Sequence, residues 1–357
     1  MKKLNQIKIA YIPLFLFFIV FILDKIFLIK KIQLLTQKDA TFLYYQYKET
    51  LLNQLEKFYQ NNKENKKILI IIGSSRLMFV DYKEFKKIYP EWEMYNFSVP
   101  VNSPAYYLYI IEKIIQRNIK PDLVLLESDL FQFNEYSPGF KKSNLPYTFD
   151  LSFVLRNFNL FERDEVSEFL GYYLFAGKKY PPDLYVLWKR ITNPDDKILY
   201  IYIKTEEYQK ENNGCGLAAV PFREWYIRDL SEIEISSMGT KSWLYKNYKE
   251  SERQWTFFRK TIHLLNEFQI LYIIIKPQVS PIMEEILQND PIIQNAYKNW
   301  QLKINKIIPH KQWIDFTKSE TFYCNTFVDG THMSKECYDP MLYEVMNLYN
   351  NLINQKK

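Results

Sequence analysis

An α/β fold, three layers deep around a central parallel sheet and preceded by a membrane-spanning helix, is what this 357-residue chain predicts. Three observations lead there. The run Lys67-Ile68-Leu69-Ile70-Ile71-Ile72 ends abruptly in Gly73-Ser74-Ser75-Arg76, and Ile270–Ile275 is a second unbroken apolar run. Such runs fit strands buried on both faces, as in parallel sheets. Around the first run, patterns alternate as β-α-β-α-β, the signature of right-handed crossovers. The third observation is an apolar stretch from Ile9 to Ile29, 21 residues counted through Asp24-Lys25, close to the ~20 needed to cross a bilayer.

Residues 1–32 therefore read as a short tip and an uncleaved membrane anchor. No small residues offer a signal-peptidase site at its end, and no cysteine follows for lipidation. From Gln33 to Gln60, Tyr44, Tyr47, Leu51, Leu55 and Phe58 recur at helical spacing. Residues 33–65 are expected to be one long amphipathic helix leaving the membrane, plus a polar linker. The α/β domain starts in 66–130, with strands at Ile68–Ile72, Glu93–Phe97 and Asp122–Glu127 and helices at Tyr82–Ile88 and Tyr106–Arg117. Residues 131–247 break the alternation and read as a mostly helical insertion over the strand ends. The domain resumes in 248–357 with a helix at Glu252–Phe268, the strand Ile270–Ile275, helices at Ile282–Leu287 and Ile292–Ile307, a short strand at Trp313–Phe316 and a terminal helix from Met341 to Ile353.

The formal charge of +6 is scattered in short lysine clusters, without the single basic stripe of a nucleic-acid-binding face. Cys215, Cys324 and Cys337 include no Cys-x-x-Cys spacing, so neither a zinc site nor a redox motif is expected. The last two could meet in an oxidising compartment or stay as buried thiols.

In parallel sheets, ligands sit at the carboxyl ends of strands. Ser75, just past the Gly73 turn, is there a candidate nucleophile, with a simple helix N-cap as the structural alternative. A serine nucleophile needs a base within hydrogen-bond reach and a group that orients the base. Of the three histidines, His263 lies inside a helix pattern and His310 follows Pro309. His332 has Asp329 three residues before it, with Gly330 between them to permit a turn.

These two blocks resemble those of the SGNH (GDSL-like) hydrolase superfamily. Gly73-Ser74-Ser75 stands where that family has Gly-Asp-Ser after its first strand, and Asp329-Gly330-Thr331-His332 where it has Asp-x-x-His before its last helix. With the membrane segment and long insertion, the chain looks most like a membrane-anchored branch found in spirochaetes and like surface-polymer O-acyltransferase relatives. The resemblance implies a flavodoxin-like strand order, a Ser75–His332–Asp329 triad and no metal or cofactor. The family's second oxyanion block falls on Asn96-Phe97-Ser98, so Ser98 would donate through its backbone N–H. The third falls on Glu127-Ser128-Asp129-Leu130, where Asp129 replaces the family's asparagine. An ionised carboxylate would repel an oxyanion, and loss of one donor costs about a hundredfold to a thousandfold in rate. Either Asn102 or Asn134 takes over, Asp129 is protonated, or the site is weak or inactive.

The expected function is thus a serine esterase or O-acyltransferase acting on an envelope polysaccharide or glycolipid. The alternative is a catalytically silent relative that binds a glycan or membrane partner through its aromatic insertion. The expected partners are the bilayer and a glycan or acyl-donor membrane protein, with no nucleic acid. Lysines flank both ends of the anchor, so charge does not decide its orientation. By analogy with the surface-polymer enzymes, the domain is expected outside the cytoplasmic membrane.

Overall fold

The five expected strands all form, and they pair in parallel. They are β1 (Lys67–Ile72), β2 (Trp92–Asn96), β3 (Leu123–Glu127), β4 (Tyr272–Lys276) and β5 (Trp313–Asp315), in the spatial order β2-β1-β3-β4-β5. This is the expected flavodoxin-like order. Successive strand residues point to opposite faces, and every residue of β2, β3 and β4 is buried. Both faces of the sheet centre are therefore covered. The chain leaves β1 towards β2 on one side and pairs with β3 on the other, which makes the carboxyl end of β1 the switch point where such sheets place ligands.

The computed structural model describes residues 2–38, 41–193, 197–216 and 229–355. Within the expected insertion, residues 194–196 and 217–228 lie outside the described residues. Contacts group the chain into two units, 1–40 with 145–203 and 41–144 with 204–357. The described residues of 131–247 are largely helical, and they divide between the two units. Only 145–203 joins the N-terminal segment, and 131–144, 204–216 and 229–247 belong with the sheet.

The expected helix Gln33–Gln60 is two helices, Lys30–Thr36 and Thr41–Gln60. Arg190 explains the break. Its guanidinium takes the carbonyls of Leu34 and Gln37 at 2.6 and 2.8 Å, and Gln37 is already extended. The second helix is a core element of the sheet unit. Tyr44, Tyr47, Leu51 and Leu55 are all buried, and Lys48 reaches the carbonyls of Asn96 and Gly214.

In the other unit, one helix is long and apolar enough to cross a membrane by length and composition, over Tyr11–Leu28. The charged interruption in it has a structural task. The Asp24 carboxylate accepts the backbone N–H of Ala176 and Gly177 at 2.6 and 2.7 Å, capping the helix Ala176–Lys179. Lys25 donates to the carbonyl of Leu174.

Candidate active site

β1 delivers its last residue into a turn that has room for nothing larger than glycine at 73. A Cβ there would lie 2.7 Å from a Glu127 carboxylate oxygen and 2.8 Å from Leu77. Ser74 caps the short helix Ser75–Met78 by accepting Arg76 N–H, and its own hydroxyl donates to Glu127 at 2.8 Å. Ser74 is buried and fully engaged. Ser75, one residue on, is half-buried and its hydroxyl meets His332 rather than Glu127. The switch-point serine is therefore Ser75.

His332 Nε2 lies 2.7 Å from Ser75 Oγ, and His332 Nδ1 lies 2.7 Å from Asp329 Oδ2. With Nδ1–H donated to the carboxylate, Nε2 is left to accept the serine proton. Asp329 Oδ1 also accepts the N–H groups of Thr331 and His332 at 2.8 and 2.9 Å. Burial works to raise the Asp329 pKa, but the His332 charge and hydrogen bond and these two N–H groups outweigh it and hold it well below the usual carboxylate range. The imidazole packs edge-to-face with Phe79, with ring centroids 5.8 Å apart.

Two clamps hold the loop that carries this pair. At its neck Phe327 and Met333 form an antiparallel bridge. Outside that, Cys324 and Cys337 form a disulfide, which settles the choice that spacing left open. The remaining cysteine, Cys215, is buried. Gly330 has no positive φ among the described residues. Its need for glycine is spatial, because a Cβ would lie 2.2 Å from Ser237 Oγ. Gly330 N–H also donates to Ser236, so the helix Leu230–Leu244 supports the histidine loop.

Sequence reasoning missed the charge cluster behind the nucleophile. Arg76, 4% exposed, lies between Glu127 and Asp129. Nε is 3.0 Å from Glu127 Oε1, Nη2 contacts the same oxygen, and Nη1 contacts Asp129 Oδ2. Burial pulls the Arg76 pKa down, while the two carboxylates overcome this and hold it above its ordinary value. Asp129 thus has a counter-ion, and its other oxygen accepts Leu130 N–H. The one available signal was an arginine beside the serine turn and an acidic residue at the end of a buried strand.

The three expected oxyanion donors are engaged elsewhere. Ser98 N–H donates to Asn96 Oδ1 at 2.9 Å. The Asn102 amide donates to the carbonyl of Gly73 and is wholly buried. The Asn134 amide donates to the carbonyl of Leu244 at 2.9 Å. Each serves the loops around the site, because buried polar groups must find hydrogen-bond partners nearby: the Ser98 N–H meets the Asn96 side chain, and the two amides meet backbone carbonyls. Among the described residues, Ser75 N–H has no acceptor, which makes it the available backbone donor beside the nucleophile.

A cavity of about 310 Å³ opens at the same edge of the sheet, lined by Asp129, Leu130, Lys276, Val279, Tyr297 and Thr317 among others. Ser75 and His332 do not line it. His263 and His310 are surface residues, the former 3.8 Å from Glu267. Among the described residues, no three metal-ligating side chains converge.

Fold and site together define a parallel α/β protein with a Ser–His–Asp hydrogen-bond chain at the switch point of its sheet. The chain belongs to the family described as "Protein of unknown function (DUF1574)", whose model matches residues 4–349 and so includes the apolar helix and both units. None of the curated proteins compared with the chain matches it.

Proposed function

We propose that this protein is an SGNH-like serine acyl-transfer enzyme, a membrane-anchored esterase or O-acyltransferase acting on an envelope polysaccharide or glycolipid. The observation that carries the reading is the continuous chain Ser75 Oγ to His332 Nε2 to Asp329, at 2.7 Å for each link. Ser75 attacks the acyl carbonyl while His332 takes its proton. The resulting imidazolium is stabilised by Asp329 and returns the proton to the leaving alkoxide. In the second half, His332 deprotonates water or an acceptor hydroxyl, which attacks the acyl-Ser75 ester; the proton on His332 passes to the departing Ser75 Oγ, and the free acid or the acylated acceptor is released. Ser75 N–H stabilises the oxyanion.

The envelope assignment rests on two supports. The apolar helix suits a single anchor in the cytoplasmic membrane, and the disulfide around the histidine loop suits an oxidising, extracytoplasmic compartment. A second reading, a catalytically silent protein binding a glycan or membrane partner, is favoured by the engagement of all three expected oxyanion donors.

Pre-steady-state hydrolysis of a p-nitrophenyl acyl ester by the full chain separates the two readings. The enzyme reading predicts a burst of one equivalent of nitrophenol, absent in Ser75→Ala, with Ser75→Ala/His332→Ala no slower than either single variant. A wild-type rate equal to that of Ser75→Ala would establish the silent reading.

A further inference from the structure

The helix Leu184–Thr192 presents Leu184, Tyr185, Trp188 and Ile191 to the outside, at 73, 75, 68 and 62% exposure. At 3.6 residues per turn these positions share one face. Its opposite side carries Arg190, 4% exposed, which donates to the carbonyls of Leu34 and Gln37. Asp183, at the N-cap, pairs with Lys38 at 3.0 Å. The helix is thus fastened to the segment that follows the apolar span, and its uncovered face is aliphatic and aromatic.

A second helix repeats the arrangement. Arg163–Leu174 exposes Leu170, Tyr173 and Leu174, again one face by helical spacing. It is held at the end of the span by the Lys25 bond to its last carbonyl, by the Asp24 cap on the helix that follows, and by edge contact of Phe21 with Phe175. All three attachments lie within the last eight residues of Tyr11–Leu28, the depth at which a span meets the headgroups. Tyrosine and tryptophan are enriched at that depth. Exposed Lys178 and Lys189 stand beside the two apolar faces, the combination of an interfacial amphipathic surface.

We infer that these two helices form a membrane-interface platform, lying on the phospholipid surface beside the anchor with their apolar faces among the headgroups and upper acyl chains. The occupant of the uncovered faces is the bilayer, because the platform is continuous with a segment suited to span it. The inference rests on the anchoring part of the proposed function and is independent of catalysis.

The test uses the full chain in vesicles of phosphatidylcholine and phosphatidylglycerol, with a nitroxide at one introduced cysteine. Label sites are Leu16→Cys in the span, Tyr185→Cys on the platform and Tyr343→Cys on the sheet unit. The last position is 57% exposed. The native cysteines do not compete, since two are bonded and Cys215 is buried. Collision with oxygen reports lipid, and collision with a nickel chelate reports water. The platform predicts lipid-type accessibility at 16 and 185 and water-type at 343. Lipid at 16 with water at 185 overturns the platform and leaves the anchor standing. Water at 16 overturns both. Shielding of 185 from both probes assigns the face to a second copy of the chain and likewise overturns the inference.

Discussion

Replacing Arg76 by alanine strands two carboxylates in the interior. The side chains of Arg76, Glu127 and Asp129 are 5, 0 and 4% exposed, so water cannot take over the lost guanidinium contacts. Removing one partner of a buried ion pair costs about 3–5 kcal/mol, two to three and a half decades in the folding equilibrium at about 1.4 kcal/mol per decade. At about 2–4 °C per kcal/mol for a unit of this size, the unfolding midpoint falls by roughly 6–20 °C. The assay is thermal unfolding of the sheet unit in detergent, followed by near-ultraviolet circular dichroism on the full chain. The triple variant Arg76→Met/Glu127→Gln/Asp129→Asn leaves no charge stranded and should recover much of the loss. An Arg76→Ala midpoint within about 2 °C of wild type, or a triple variant less stable than Arg76→Ala, would refute the argument from buried charge.

Three further predictions concern the histidine loop, the orientation of the chain and Lys48. The disulfide closes a short loop, with a sequence separation of 13, so Cys337→Ser should cost about 3 kcal/mol and reduce Ser75 reactivity, whereas Cys215→Ser should leave that reactivity intact. Equal reactivity with and without reductant would separate the disulfide from the site. A periplasm-specific reporter fused after residue 357 should be active, in keeping with the same oxidising compartment, and silence from a stable fusion would place the domain inside. Burial lowers the Lys48 pKa to about 7. Between that value and the usual lysine range the unfolded chain holds a proton that the folded chain lacks, so this residue makes stability rise with pH there. Urea midpoints from pH 7 to 10 should show that rise and lose it in Lys48→Met.

The centre of the sheet was legible because β1, β3 and β4 are buried and leave nearly unbroken aliphatic runs, while the edge strands β2 and β5 were placed by their position in the alternating pattern. β1 to β5 each fall within two residues of the expected ranges. Ser75, Asp329 and His332 were legible because each pairing partner is either local or limited to three histidines. The Arg76 cluster was not, since its carboxylates lie 51 and 53 residues away and no local period signals a buried ion pair. The oxyanion expectations depended on which acceptor each donor meets, and loops set that. The division of the insertion was equally hidden. It is decided by Asp24 and Arg190, which bond to residues 152 to 156 positions away.

The central claim, that Ser75 is a nucleophile activated by His332, is tested most directly by treating the folded full chain with a fluorophosphonate and mapping the adduct by peptide mass spectrometry. The account predicts one adduct on Ser75, lost in Ser75→Ala, strongly slowed in His332→Ala and retained in Ser74→Ala. An unmodified Ser75, an adduct on Ser74, or labelling indifferent to His332→Ala would contradict it.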